Sequence, residues 1–160
     1  MLASALLLGV VTGIGFGGDW RRLLRLSVRG VPILIAAALL RVIGVFWGLP
    51  LPIYVMVLFS LVVVAMMNRK LPGAIMLAAG VSLNLIATLA NGGMPVSTQA
   101  ADIAGVAIPS DGLHVAMTSE TLMPILADLI PVPFVRNVYS AGDIVLAIGG
   151  FWLPFACLRR

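Results

Sequence analysis

Residues 31–67 read VPILIAAALLRVIGVFWGLPLPIYVMVLFSLVVVAMM, two apolar runs separated by a short turn. Each run approaches the roughly 20 residues that an α-helix needs to cross a lipid bilayer. Neither helix can continue through the turn Gly48-Leu-Pro-Leu-Pro52, because its glycine and prolines break helical geometry. The stretch therefore predicts a helical hairpin inside a membrane.

The rest of the chain has the same apolar character. Of its 160 residues, 61% are apolar and 10% are charged, whereas roughly 25% are charged in an ordinary soluble domain. So much apolar surface cannot be buried in a globule of this size, which excludes a soluble enzyme. The low charge content excludes disorder, and a single cysteine, Cys157, excludes a disulfide scaffold. No basic surface is interleaved with aromatic residues, so we expect no nucleic-acid partner.

The predicted fold is all-α, a single integral membrane domain over residues 1–160 with five transmembrane helices. The predicted spans are about 1–18, 31–49, 51–67, 71–90 and 138–158. A long outer loop, residues 91–137, separates the last two spans. Within this loop, Ser119–Ile130 has an apolar stripe at helical spacing and predicts a short interfacial helix.

Basic residues predict the orientation. Eight of the ten fall on one side of a five-helix arrangement: Arg21, Arg22, Arg25, Arg29, Arg69, Lys70, Arg159 and Arg160. The positive-inside rule makes this side cytoplasmic, with the N-terminus outside and the C-terminus in the cytoplasm. The segment Asp19–Gly30 is either a short interfacial helix or a plain stop-transfer charge cluster. Its arginines, Arg21, Arg22, Arg25 and Arg29, are candidate contacts for anionic lipid headgroups.

Three glycines in the first segment, Gly9, Gly13 and Gly17, form a doubled G-x-x-x-G pattern. Small residues at this spacing allow two helices to approach closely. The pattern is compatible with packing inside the bundle and with a helix–helix contact to a partner chain.

Three polar residues, Arg41, Asn84 and Asp143, interrupt the predicted spans in their outer halves. Ionisable groups at membrane depth are costly and usually pair inside the bundle, so we expect Arg41 to approach Asp143. With Asn91 at the end of the fourth span, they predict a polar or ligand-binding site roofed by the outer loop. The alternative is structural, because Ser140-Ala-Gly-Asp143 also matches a helix capping box, and Asn91-Gly-Gly matches a helix end. No spacing of ligands supports a metal site or a cofactor site.

Three runs carry a resemblance to a known family: Asn91-Gly-Gly-Met-Pro-Val96, Leu126-Ala-Asp-Leu-Ile-Pro131 and Tyr139-Ser-Ala-Gly-Asp-Ile-Val-Leu-Ala-Ile-Gly149. The sequence resembles an uncharacterised bacterial integral-membrane family, DUF5317, over the whole chain. The resemblance implies a multi-pass location in the bacterial cytoplasmic membrane. It implies no activity.

The second half of the chain also resembles lipoprotein signal peptidase, a membrane aspartyl protease. Asp143 is followed by Gly149 at that family's spacing, and Asp128 lies upstream, as its other catalytic aspartate does. Asn84-Leu-Ile86 is similar to part of the family's Gly-Asn-Leu-Ile-Asp-Arg motif, but Ala87-Thr88 stands where its Asp-Arg pair would be. The resemblance implies that Asp128 and Asp143 are catalytic, one carboxyl acting as base and the other as acid.

Together these features predict an integral membrane protein of unknown biochemical role. The function expected first is binding, assembly or transport support through a polar site at the outer face, with the lipid bilayer as partner. The alternative is an intramembrane aspartyl hydrolase that uses Asp128 and Asp143. The sequence does not decide whether the chain is an enzyme.

Overall fold

The computed structural model describes residues 1–159, apart from the side chain of Val45. Helix makes up 64% of the chain, which confirms the predicted helical class. The helices are α1 (Leu2–Gly15), α2 (Arg21–Leu24), α3 (Val31–Trp47), α4 (Leu51–Met67), α5 (Ala74–Asn91), α6 (Thr98–Ala104) and α7 (Ala141–Arg159). The strands are β1 (Met94–Val96), β2 (His114–Ala116), β3 (Ile130–Val132) and β4 (Asn137–Tyr139).

The helical hairpin predicted over residues 31–67 is present as α3 and α4. Helix α3 ends at Trp47 because Gly48 follows with a φ of 76°, in the left-handed half of backbone space that glycine enters without strain. Helix α4 begins at Leu51, with Pro52 in its first turn, where its missing N–H breaks no helical hydrogen bond.

Only two of the five predicted spans meet the length and apolarity of a membrane-crossing helix. These are α5, with 18 residues, and α7, with 19 residues, each with a mean hydropathy of 1.7. Helices α1, α3 and α4 are apolar but shorter, with 14, 17 and 17 residues. The count of five is therefore corrected to two candidate spans. In the first segment the shortfall arises because the chain turns at Gly17, whose φ is 81°, so the helix ends at Gly15.

The long helices pack in the spatial order α3, α4, α5, α7, α1. Glycines make the closest of these approaches. A Cβ at Gly9 would collide with the backbone oxygen of Phe151, and one at Gly13 would lie 2.6 Å from Leu158 Cδ1. The first two glycines of the G-x-x-x-G pattern therefore pack against α7 of the same chain. A contact with a partner chain stays a prediction.

The long loop, residues 91–137, contains more secondary structure than predicted, and its helix is in a different place. Ser119–Ile130 forms no α-helix, which corrects the prediction: only a 3₁₀ turn is present at Pro124–Leu126. Pro124 disfavours helical geometry in the residue before it, and Met123 has a φ of 50°. The helix of this region is α6, where Ser97 accepts a hydrogen bond from the N–H of Ala100.

Two small sheets complete the loop. Strands β1 and β2 pair in parallel, β3 and β4 pair antiparallel, and an isolated bridge joins Val96 to Asp128. The core of this region is small and apolar, made of Val96, Ala100, Ala101, Ala104 and Val138. We call the end of the bundle that carries this region the loop end.

The opposite end of the bundle carries most of the basic residues, and we call it the basic end. Helix α2 is a single turn, Arg21–Leu24, much shorter than a helix over Asp19–Gly30 would be. Asn68, at the end of α4, holds the segment that precedes α3 in place. Its Oδ1 accepts from the N–H of Arg29 and its Nδ2 donates to the carbonyl oxygen of Arg29, both at 2.8 Å. This pair of bonds joins the end of α4 to the segment just before α3.

Candidate functional site

A cavity of about 220 Å³ lies at the loop end of the bundle. Helices α1, α3, α4, α5 and α7 contribute to its wall, and the loop region covers it. We call it the polar cavity; its lining is Met1, Leu2, Arg41, Tyr54, Asn84, Met94, His114, Asp128, Asn137, Val138, Tyr139 and Asp143. The three polar residues that interrupt the predicted spans, Arg41, Asn84 and Asp143, therefore all line this cavity.

Asp143 is held by three hydrogen bonds at the start of α7. Its Oδ2 accepts from the backbone N–H and from the hydroxyl of Ser140, both at 3.0 Å. Its Oδ1 accepts from Nδ2 of Asn84 at 3.1 Å. The N–H of Asp143 in turn donates to Ser140 Oγ at 3.1 Å, so the predicted capping box is present. The carboxylate therefore both caps α7 and ties it to α5.

Gly142 makes this arrangement possible. A Cβ at this position would collide with Oδ1 of Asn84 and lie 2.8 Å from the backbone oxygen of Gly80. Without a side chain, the first turn of α7 comes close enough for Asn84 to reach both Ser140 and Asp143. Ser140 Oγ lies 3.0 Å from Asn84 Oδ1 as well as from Asp143 Oδ2, so its single hydroxyl proton is shared between these two acceptors. Ser140 is fully buried, so this polar cluster is internal to the bundle.

Arg41 does not pair with Asp143, which corrects the expected ion pair. Within the described residues no carboxylate oxygen lies within 4.0 Å of the Arg41 guanidinium. Its Cζ instead lies 5.2 Å from the centre of the Tyr54 ring, a cation–π contact across the α3–α4 hairpin. The α3–α4 hairpin brings the guanidinium to the Tyr54 ring, while the Asp143 carboxylate is held at the start of α7 by Asn84 and Ser140.

Asp128 reaches the cavity from the loop region. Its backbone is fixed between the strands, because its N–H donates to the carbonyl oxygen of Pro95 and its own carbonyl accepts from Ser97. The residue is only 8% exposed, and no hydrogen bond to its carboxyl is found within the described residues. Burial raises the pKa of Asp128 to about 7, and the negative charge of Asp143 adds to the rise.

His114 and Asp111 form a second polar pair at the edge of the cavity. Nδ1 of His114 lies 2.9 Å from Oδ2 of Asp111. Burial acts to raise the pKa of Asp111, but the His114 hydrogen bond and the N–H groups of Leu113 and His114 outweigh it and lower the pKa. Residues 1–159 contain no group of three or more metal-binding side chains.

Asn91 lies apart from the polar cavity. Its Nδ2 donates to the carbonyl oxygens of Ala87 and Leu122, and its Oδ1 accepts from the N–H of Leu122 at 2.8 Å. Asn91 therefore fastens the loop region to the end of α5, and Gly92, with a φ of 67°, ends that helix as predicted.

Four polar residues of the cavity were not predicted from the sequence: Tyr54, His114, Asn137 and Tyr139. For Tyr54 a signal was available. Arg41 and Tyr54 lie on the two arms of the predicted hairpin, each within about two helical turns of residues 48–50, so a contact between them could have been considered. For His114 there was none, because only the pairing of β2 with β1 brings it near the helices.

No curated protein and no solved structure matches this chain. A family model described as a family of unknown function, DUF5317, matches residues 25–155. The match includes the three motif runs and every charged residue of the polar cavity. The chain therefore belongs to the DUF5317 family.

Proposed function

We propose that this chain is an integral protein of the bacterial cytoplasmic membrane that binds a small polar ligand in the polar cavity. Large apolar side chains are exposed on all five long helices, among them Leu7, Phe46, Phe59, Ile75 and Trp152. A bilayer would cover this apolar surface, whose area is too large to be exposed favourably to water. Helices α5 and α7 are long enough to cross it.

The proposed orientation places the loop end outside and the basic end in the cytoplasm. At the basic end, the exposed residues Arg21, Arg22, Arg25 and Arg29 are suited to anionic headgroups. The test is a pair of reporter fusions. A reporter after Arg160 is expected in the cytoplasm and one inserted near Asp111 outside, and the reverse result would overturn the orientation.

One observation carries the proposed ligand binding: three ionisable side chains line the same cavity without an ion pair among them. These are Arg41, Asp128 and Asp143. Asp143 already accepts three hydrogen bonds, but the Asp128 carboxyl and the Arg41 guanidinium have no oppositely charged partner within the described residues. A charge in a partly enclosed site is costly without such a partner. A ligand with an ammonium group for the carboxylates and an anionic group for the guanidinium would supply both. We therefore assign the cavity to a small zwitterion.

The experiment uses the full chain in detergent with two soluble probes. Glycerophosphoethanolamine carries a phosphate and an ammonium group, and glycerophosphoglycerol carries the phosphate alone. Saturation-transfer NMR is expected to detect the first probe and to give a weaker signal for the second. The variant Asp128→Asn should lose the difference, and the control Asp102→Asn, at an exposed position of α6, should keep it. Equal signals for both probes in the wild type would overturn the proposal.

A second candidate function is aspartyl hydrolysis. It is favoured by the shared cavity of Asp128 and Asp143 and by the raised pKa of Asp128. At neutral pH such a pair can hold one proton, so one carboxyl can activate water while the other protonates the leaving group. The assay is cleavage of a lipid-anchored peptide in proteoliposomes, followed by mass spectrometry. Cleavage that survives in Asp128→Asn would exclude this mechanism.

A further inference from the structure

An apolar cavity of about 170 Å³ lies deeper in the bundle than the polar cavity. Its lining is almost entirely aliphatic and includes Leu2, Leu34, Leu61, Val81 and Leu146. We call it the apolar groove. Leu2 lines both the groove and the polar cavity, so the two are adjacent.

The register of the helices connects these two spaces. Each of four helices contributes a polar residue to the polar cavity and an apolar residue to the groove one or two turns deeper. The pairs are Asn84 with Val81, Asp143 with Leu146, Arg41 with Leu34, and Tyr54 with Leu61. At 1.5 Å per residue, three and seven positions place the apolar residue roughly 5 and 10 Å further from the loop end. The combined space changes from charged to aliphatic along the direction of the helices.

A second apolar surface adjoins the first. A shallow cavity between α3 and α4 shares Arg41 and Tyr54 with the polar cavity, and it shares Leu34 and Leu61 with the groove. One polar region is therefore flanked by two aliphatic surfaces. This is the distribution of chemistry in a lipid with one headgroup and two acyl chains.

We infer that the occupant of the polar cavity is a zwitterionic aminophospholipid, with its headgroup in the cavity and its acyl chains along the groove. The phosphate would lie near Arg41 and the ammonium group near Asp128 and Asp143. An anionic headgroup without an amine fits less well, because the two carboxylates face it without a compensating cation. The inference rests on the proposed ligand binding and names the class of ligand.

The experiment is native mass spectrometry of the full chain in detergent with two added lipids of identical acyl chains, phosphatidylethanolamine and phosphatidylglycerol. The wild type is expected to retain phosphatidylethanolamine about tenfold better, since a charge-assisted hydrogen bond exceeds a neutral one by roughly this factor. Asp128→Asn and Arg41→Gln should lower that retention. The matched controls Asp102→Asn and Arg69→Gln, both at exposed positions, should not.

The groove is tested separately by filling it. Leu34→Trp and Leu61→Trp place an indole in the groove and are expected to lower lipid retention severalfold while leaving binding of glycerophosphoethanolamine unchanged. Leu39→Trp is the control, because Leu39 lies on the same helix with 58% of its surface exposed. Circular dichroism establishes that each variant is folded. Two groove variants are used so that the test still holds if one of them does not fold.

The outcomes separate the two proposals. If glycerophosphoethanolamine binds but the lipid is held no better and neither tryptophan has an effect, the ligand is a soluble zwitterion and the lipid inference is wrong. If neither probe binds, both proposals fall. Equal retention of the two lipids, unaffected by Asp128→Asn, would mean that the groove holds only bulk lipid, and it too would overturn the inference.

Discussion

Replacing Asn84 with alanine removes the side chain that joins α5 to the start of α7. Its Nδ2 donates to Asp143 Oδ1 at 3.1 Å, and its Oδ1 accepts from Ser140 Oγ at 3.0 Å. Both partners belong to the capping box of α7, and Ser140 is fully buried. The substitution therefore leaves one buried hydroxyl without an acceptor on α5 and one carboxylate oxygen without its donor.

The expected loss of unfolding free energy is about 2 kcal/mol. A neutral hydrogen bond between membrane helices contributes about 0.6 kcal/mol on average. A hydrogen bond to a charged group contributes about 1.5–3 kcal/mol in proteins generally. The lower end of the second range is appropriate here, because Asp143 keeps two donors from Ser140 and borders the polar cavity.

The assay is denaturation of the full chain in mixed detergent micelles with increasing dodecyl sulfate, followed by far-ultraviolet circular dichroism. Ser82→Ala on the same helix is the control, because Ser82 is a half-buried residue of α5 outside the cluster of Asn84, Ser140 and Asp143. A double-mutant cycle with Asp143→Asn should show coupling of about 1 kcal/mol. Equal losses for Asn84→Ala and Ser82→Ala, with no coupling, would refute the assigned role of this cluster.

Three further predictions use the same unfolding assay. Gly80→Ala should destabilise the chain by about 1–3 kcal/mol, because its Cβ would lie 2.6 Å from a backbone oxygen of α7, whereas Gly15→Ala, with open space around it, should not. Burial raises the pKa of Asp128 from 3.8 to about 7, so between these pH values the folded chain holds a proton that the unfolded chain releases. The free energy of unfolding should therefore fall as the pH rises through this range, by up to about 4 kcal/mol. Asp128→Asn should abolish this pH dependence. Asn68→Ala removes both hydrogen bonds to Arg29, and it should cost about 2 kcal/mol and speed tryptic cleavage after Arg29.

The helix positions were largely predictable, because apolar runs and breakers act locally. The turn at Gly48 and Pro52 separates α3 from α4 wherever the hairpin lies in the fold. The number of spanning helices was less predictable. Run length alone does not reveal that the chain turns at Gly17 and leaves α1 with only 14 residues.

The loop region shows where pattern reasoning fails. The apolar stripe in Ser119–Ile130 has helical spacing, but Pro124 constrains the residue before it, and the segment forms a 3₁₀ turn and a strand. The strands of this region are three residues long and pair with segments up to 20 positions away. No local pattern marks such short strands, since their hydrogen bonds depend on where the partner strand lies.

The sequence by itself determined the family, the helical class, the hairpin and the capping box of α7, because each depends on residues close together in the chain. It also identified Arg41, Asn84, Asp128 and Asp143 as the residues worth following. Only the tertiary structure decided their partners. Asp143 bonds to Asn84 because Gly142 lets α7 approach α5, and Arg41 lies over Tyr54 because the hairpin brings the two together. The choice of partner depends on how closely the helices approach each other. The spacing of residues along the chain does not reveal this distance.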